Sequence, residues 1–159
     1  QETGYKREGL SALERLHRRQ RMSPAVPIHL EWSFRMPLGE HFLTGIVDRI
    51  DPAGEGRCEI IDYKTGKAKD QKEGDKDAQL ALYALAVKEC LGLTPTRLGL
   101  YFLSSDEIIY TTRTDEQIQE ARQRVLAVAE AIGARRFDPT PGFRCRSCDY
   151  AGICPALEE

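Results

Sequence analysis

One stretch alternates apolar and polar residues with a period of two, two strand-like stretches follow it, and together they restrict the folds open to this chain. In IHLEWSFRM, apolar side chains occupy every even position from Ile28 to Met36, as in a strand with one buried face. HFLTGIVDRID (41–51) and RCEIIDYK (57–64) read as two more strands, and the turn PAGEG between them marks a hairpin. A chain that opens this way must build a sheet, so the question becomes what covers it. Asp77 to Leu91 is rich in Ala and Leu and reads as a largely buried helix closed by Gly92. RLGLYFLSS and EIIYTTR form a further strand pair. Thr114 with Gln117 has capping-box spacing ahead of a long helix, DEQIQEARQRVLAVAEAIGARR. Upstream, KREGLSALERLHRRQR (6–21) places Leu10, Leu13 and Leu16 at helical spacing, and Ser23 to Pro27 breaks it. The polar, Gly-bearing segment 65–76 reads as a mobile loop. The order α-β-β-β-α-β-β-α with a Cys-rich tail is an α/β arrangement with a mixed sheet.

A length of 159 residues suits one compact domain. We expect a core over 1–136 and a cysteine-rich, metal-binding tail over 137–159 packed on it. No apolar run approaches the roughly 20 residues of a membrane span, so no membrane partner is expected. The chain starts with Gln and shows no signal peptide, which we read as a domain cut from a longer protein. Its 23 basic and 25 acidic residues argue against a generic basic nucleic-acid binder. They leave room for an enzyme that meets DNA through a local patch. Five cysteines cannot all pair, and three fall in RCRSCDYAGICP. That points to a metal site or a reducing, cytoplasmic compartment.

Asp62 and Lys64 are two apart on one strand and share a face. Asp48 lies across the hairpin, so two carboxylates and a lysine can converge at one end of a sheet. Hard cations such as Mg²⁺ take oxygen ligands of this kind. A nearby lysine can stabilise charge on a phosphate or orient the attacking water. The set suits metal-assisted phosphodiester hydrolysis. By itself D-x-K reads first as a solvated surface pair. Ile60 and Ile61 bring a buried strand up to the acid, and placing charge there has a desolvation cost. Gln79 and Tyr83, four apart on a helix, could reach one site together or form the polar edge of a buried helix.

Cys145 and Cys148 have the C-x2-C spacing that lets two thiolates hold one metal, with Cys154 six residues on. Structural zinc and an iron–sulfur cluster are the two metal readings. Cys58 and Cys90 read as packing thiols. Basic residues cluster locally: Arg122, Arg124, Arg135, Arg136, Arg144 and Arg146 in one stretch, and Lys64, Lys67, Lys69, Lys72 and Lys76 in another. Such patches suit phosphate contact without sequence readout. Arg144 and Arg146 are the better DNA candidates of the first stretch, and Arg122 and Arg124 read as a solvated helix face.

GIVDRID, EIIDYKTGK, DAQLALYALAV and the terminal C-x2-C-x5-C, in this order, resemble the RecB-type nucleases of the PD-(D/E)xK superfamily. These are the nuclease domains of RecB, AddA, AddB and some UvrD-like helicases. The resemblance runs from about Glu31 to Pro155. It implies a restriction-endonuclease-like mixed central sheet flanked by helices. It also implies that Asp48 and Asp62 hold Mg²⁺ or Mn²⁺ with the Tyr63 backbone carbonyl, and that Lys64 is the catalytic lysine. Gln79 and Tyr83 match the family's Q-x-x-x-Y signature and complete the catalytic set. Glu31 fits a family-typical E-x-x-F strand and is treated as structural. The tail resembles the 4Fe-4S staple of AddB-like nucleases, whose fourth cysteine comes from far upstream. Family members often carry a metal-site histidine near an N-terminal helix. His17, His29 and His41 lack its context, and His17 reads as a surface residue.

The expected function is therefore a Mg²⁺- or Mn²⁺-dependent deoxyribonuclease acting on single-stranded DNA or ends. It would be the exonuclease module of a helicase–nuclease in DNA repair or recombination, with a helicase domain as partner. Lys67, Arg144 and Arg146 would contact DNA. The alternative is a non-catalytic DNA-binding or interaction module that retains the fold.

Overall fold

The computed structural model describes residues 2–22, 26–68 and 70–157. Its elements, in chain order, are α1 (Glu2–Met22), β1 (His29–Leu38), β2 (His41–Pro52) and β3 (Arg57–Lys64), then α2 (Gln71–Asp75) and α3 (Ala78–Leu91). β4 (Thr94–Phe102), β5 (Glu107–Thr111) and α4 (Asp115–Gly133) follow. Short 3₁₀ turns make up the ordered part of the tail. The five strands form one sheet in sequence order β1-β2-β3-β4-β5. Only β3 and β4 pair in parallel; the other neighbours are antiparallel. A parallel pair needs a crossover, and α2 and α3 supply it. The expected α/β mixed sheet flanked by helices is what forms.

The period-two pattern works as read from Phe34 to Leu38, where Phe34, Met36 and Leu38 are buried. It does not extend to the start of β1. Leu30 is 62% exposed and Ile28 is 40% exposed. Glu31 between Leu30 and Trp32 has φ +47, and β1 is an edge strand of the sheet. α3 buries Leu80, Ala81, Tyr83, Ala84, Leu85, Ala86 and Val87. It is apolar nearly all round because it lies between the sheet and α4. Ile50, Cys58, Ile60, Leu98, Leu100 and Phe102 meet it from the sheet, and Ile118 joins from α4. Fully burying each such leucine or isoleucine contributes about 1.5–3 kcal/mol.

The opposite face carries Ile61, Tyr63 and Tyr101 and is covered by α1. Arg19 of α1 stacks its guanidinium over the Tyr101 ring and bonds Asp106, while Arg15 donates to the Leu103 and Ser104 carbonyls. α1 is thus held by arginines more than by its leucines. Leu10 and Leu13 stay exposed. The chain break expected at Ser23–Pro27 falls largely on residues 23–25, outside the described residues.

Two expectations need correction. The segment 65–76 is not wholly a loop, because α2 forms within it. Asp70 and Glu73 make a reciprocal capping box, which satisfies two backbone donors that a free turn would leave open. Cys90 is not a packing thiol, since it is exposed at the end of α3; Cys58 is fully buried as expected.

Candidate active site

The site begins where the β2–β3 ladder ends. Residue pairing runs from Pro52 with Cys58 to Arg49 with Ile61. At the next step a side chain replaces a backbone partner: the Tyr63 N–H donates to Asp48 Oδ2 at 2.8 Å. This fixes Asp48 in place beside Asp62. Asp62 follows two buried isoleucines, and the same apolar pairing with β4 that buries them draws it to 2% exposure.

Lys64 Nζ lies 2.6 Å from Asp62 Oδ2. This ion pair, with Lys64 as the partner, compensates the buried Asp62 oxygen. A carboxylate buried this deeply is costly unless it is paired. Burial first, and repulsion from Asp48 and Asp77, push the Asp62 carboxyl above its ordinary pKa against the pull of Lys64. Burial alone would lower the Lys64 ammonium, but Asp62, then Asp77, outweigh it and raise it.

From Lys64 a polar chain runs into α3. Lys64 Nζ donates to Gln79 Oε1 at 2.7 Å, and Gln79 Nε2 donates to the Tyr83 hydroxyl at 2.6 Å. Tyr83 is raised by burial first, and its ring meets Phe34 edge-on. The geometry therefore gathers all five side chains, Asp48, Asp62, Lys64, Gln79 and Tyr83, around one point. With the amide of Gln79 committed at both ends, Lys64 is held between an acid and an acceptor, and the Tyr83 O–H proton stays available to another acceptor.

The residues fit a hard divalent cation. Two carboxylates converge, and the buried one, Asp62, is repelled by Asp48 and has Lys64 to offset its charge. Among the described residues no group of three His, Cys, Asp or Glu gathers as a metal site. Mg²⁺ needs no such group, because it commonly takes one or two carboxylates with water and phosphate. Of the three histidines, His17 is exposed on α1, the His29 and Trp32 ring centroids lie 6.0 Å apart, and His41 sits beside Gly133 of α4.

Two residues that the sequence reading passed over support the site. Asp77 caps α3, accepting from the Gln79 and Leu80 N–H groups. Arg113 donates to the Asp77 carbonyl at 3.0 Å and the Gly74 carbonyl at 3.1 Å, and also to Thr111 Oγ1 and the Thr112 carbonyl. It thereby ties the α2–α3 junction to β5. The cap was legible as an Asp before an apolar helix. Arg113 carries no local signal, because its partners lie up to 39 residues away.

The tail departs from expectation. Cys145 and Cys154 are half-buried and Cys148 is exposed, all as free thiols. The expected zinc or iron–sulfur grouping is not assembled among the described residues. The Gly142 N–H donates to Cys145 Sγ instead, at 3.3 Å. A metal staple needs ligands brought from both sides, and the turns of the tail bond chiefly to one another. Arg144, Arg146 and Lys67 are exposed, and Arg144 lies over the Phe143 ring at 5.8 Å. Arg122 pairs with Glu89 on α3. Lys69 lies outside the described residues.

Comparison with known proteins bears on the family of the chain. The profile of the PD-(D/E)XK nuclease superfamily matches residues 2–155. The chain is 31% identical over 146 residues to Gene 69 protein of Mycobacterium phage D29, covering 86% of this chain and 49% of that protein. It is 29% identical over 136 residues to Gene 69 protein of Mycobacterium phage L5, covering 81% and 45%. The chain thus spans about half the length of these curated relatives. A solved chain described as "Crystal structure of SSO0001" superposes with TM-score 0.49 at 17% identity, over 98% of this chain and 79% of that one.

Proposed function

The chain belongs to the PD-(D/E)XK nuclease superfamily, and from that premise we propose that it hydrolyses DNA phosphodiester bonds at the Asp48–Asp62–Lys64 cluster. The observation that carries the proposal is the buried Asp62 carboxylate, set beside a second carboxylate and ion-paired with a fixed lysine. Asp48 and Asp62, with the Tyr63 backbone carbonyl, would hold Mg²⁺ or Mn²⁺. When bound, the cation supplies Lewis-acid neutralisation of phosphoryl charge. Lys64 faces the same phosphate, stabilises the negative charge that builds on it and orients the attacking water. Gln79 keeps Lys64 aimed, and the Tyr83 hydroxyl donates to a phosphate oxygen. Lys67, Arg144 and Arg146 hold the strand by its backbone.

The order of GIVDRID, EIIDYKTGK and DAQLALYALAV supports a RecB-type exonuclease module working with a helicase in repair or recombination. The tail thiols Cys145, Cys148 and Cys154 would take 4Fe-4S or zinc together with a further ligand. Brown protein after anaerobic purification supports the cluster, colourless protein with stoichiometric zinc supports zinc, and metal-free protein rejects both.

The function is tested by incubating labelled single- and double-stranded DNA with Mn²⁺ and the wild-type, Asp62→Ala or Lys64→Ala protein. Cleavage by the wild type alone is expected. Equal cleavage by all three overturns the site. Binding without cleavage by any of them leaves a non-catalytic DNA-binding module that keeps the fold.

A further inference from the structure

α3 is anchored unevenly at the end that meets the catalytic cluster. Leu80 and Tyr83 are buried in the core, whereas Gln79, which bonds Lys64, is exposed. Apolar packing therefore does not hold Gln79 in place. It also stands in the first turn of the helix, where backbone N–H groups have no intrahelical acceptor and the turn frays unless something caps it. Asp77 supplies that acceptor. Its Oδ1 takes the Gln79 N–H at 3.0 Å and the Leu80 N–H at 3.2 Å, and its own carbonyl is held by Arg113 at 3.0 Å. A series of bonds thus runs from Arg113 through Asp77 and the Gln79 backbone to the Gln79 amide. From there it reaches Lys64 Nζ at 2.7 Å and the Tyr83 hydroxyl at 2.6 Å. The same carboxylate is a third negative charge near Asp62 and Lys64, so its cap and its charge have to be told apart.

We propose that Asp77 is a positioning residue of the reaction, which acts through its cap on Gln79 and so aims Lys64 at the phosphate that is cut. The inference deepens the nuclease reading and rests on it. Geometry favours the cap over the charge. Asp77 Oδ1 bonds the Gln79 N–H directly, while Lys64 already has Asp62 in contact with it and feels the Asp77 charge behind that. A catalytic group misplaced by about 1 Å can lose on the order of a hundredfold in rate, so a turn that frays at Gln79 is enough to matter. The cap reaches only the aim of the lysine. It touches neither the acids that would hold the cation nor the exposed basic residues that would hold the strand, so its effect belongs to turnover and not to binding.

The test uses the whole chain with Mn²⁺ and labelled DNA. Asn and Ser cap a helix as well as Asp does, so Asp77→Asn and Asp77→Ser are expected to keep kcat within about twofold. Asp77→Ala should lower kcat about tenfold with KM nearly unchanged. Asp77→Glu keeps the charge on a side chain too long to cap well, and should fall with Asp77→Ala. In a Gln79→Leu background, Asp77→Ala should cost nothing further, since no amide is left to aim. Thr114→Ala removes the cap of α4 and should leave kcat unchanged, which separates aim from a general loss of stability. A readout without metal or cleavage is the side-chain amide resonance of Gln79, assigned by its loss in Gln79→Leu. It should keep hydrogen-bonded shifts in wild type and Asp77→Asn and move to free-amide shifts in Asp77→Ala and Asp77→Glu. Loss of kcat in Asp77→Asn equal to that in Asp77→Ala overturns the inference, because the charge is then what acts. Additive losses in the double variant, or a Gln79 resonance unmoved in both Asp77→Ala and Asp77→Glu, overturn it as well. Wild-type protein that leaves DNA intact in Mn²⁺ sinks the nuclease reading, and the amide resonance still decides whether Asp77 places Gln79.

Discussion

At the residue scale, Asp62 is held against its own folding preference. Its carboxylate is buried, its pKa is raised by that burial, and it leans on Lys64 for charge. Removing the charge should therefore help the metal-free fold. Asp62→Asn is expected to raise the thermal midpoint measured in chelator, while Mn²⁺ stabilises the wild type and no longer stabilises the variant. A fall in the midpoint in chelator would show that the ion pair with Lys64 outweighs the burial cost. Gln79 is the counterpart on α3, since its amide bridges Lys64 and Tyr83. Gln79→Leu should lower kcat about tenfold or more with a smaller change in KM, because misaiming the lysine acts on the transition state rather than on binding. A change confined to KM would mean that Gln79 serves DNA binding instead. That Asp48, Asp62 and Lys64 could converge was readable from the hairpin, because strand parity and a cross-strand neighbour are local facts; their roles came from the family resemblance. The burial of Asp62 was not readable, since it depends on how β3 and β4 bury the strand end.

At the element scale, two attachments decide how the site is framed. The first is the α2–α3 junction. Arg113→Met leaves the Gly74 and Asp77 carbonyls without a donor they now use, a loss of about 1–3 kcal/mol. Hydrogen exchange across 71–79 should quicken, and unchanged exchange there would refute the tie. Gly74 adds to it: a Cβ would stand 2.8 Å from Ile109 Cγ2, so α2 can approach β5 this closely only with glycine. The second attachment is α1. Asp106 sits in the β4–β5 turn with φ +60, a conformation that Asp and Asn tolerate better than most residues. Its carboxyl is held below the ordinary value by the Tyr101 hydroxyl first, against burial, with Arg19 adding to the pull. A depressed folded-state pKa contributes stability that is full above the unfolded value of about 3.9. That stability is lost as pH falls through the folded value. α1 should loosen in that acid window, seen as faster exchange along Arg15–Arg19, and Asp106→Asn should remove that step. The elements themselves were foreseen nearly to the residue where both capping and periodicity speak, as at Asp77, Gly92 and Thr114. α2 was missed because five residues carry no periodicity, although its capping box, Asp70 with Glu73, is written in the sequence.

At the scale of the whole molecule, the near-balanced charge of the chain is an average over an acidic cleft and exposed basic segments. DNA affinity should fall with salt, but with a slope reflecting a few phosphate contacts rather than a basic face. The tail is the least integrated part. Phe143, Tyr150 and Ile153 are each more than two-thirds exposed, and the backbone bonds of its turns stay within it. Truncation after Arg136 should leave a cooperatively unfolding core with its midpoint within a few degrees. A large loss would show that the tail is part of the core. No helix among the described residues is long and apolar enough to cross a membrane. The sequence by itself determined the sheet and the buried crossover helix, because strand patterning and capping are set by neighbours within a few residues, and it offered the acids, lysine, glutamine and tyrosine as candidates through the family resemblance. Only the tertiary structure decided that Asp48 replaces a lost ladder partner, that Asp62 is buried with Lys64 against it and that Arg113 braces the site. Each of those depends on atoms brought together from distant segments, and burial and hydrogen-bond satisfaction are properties of the packed whole rather than of any stretch of chain.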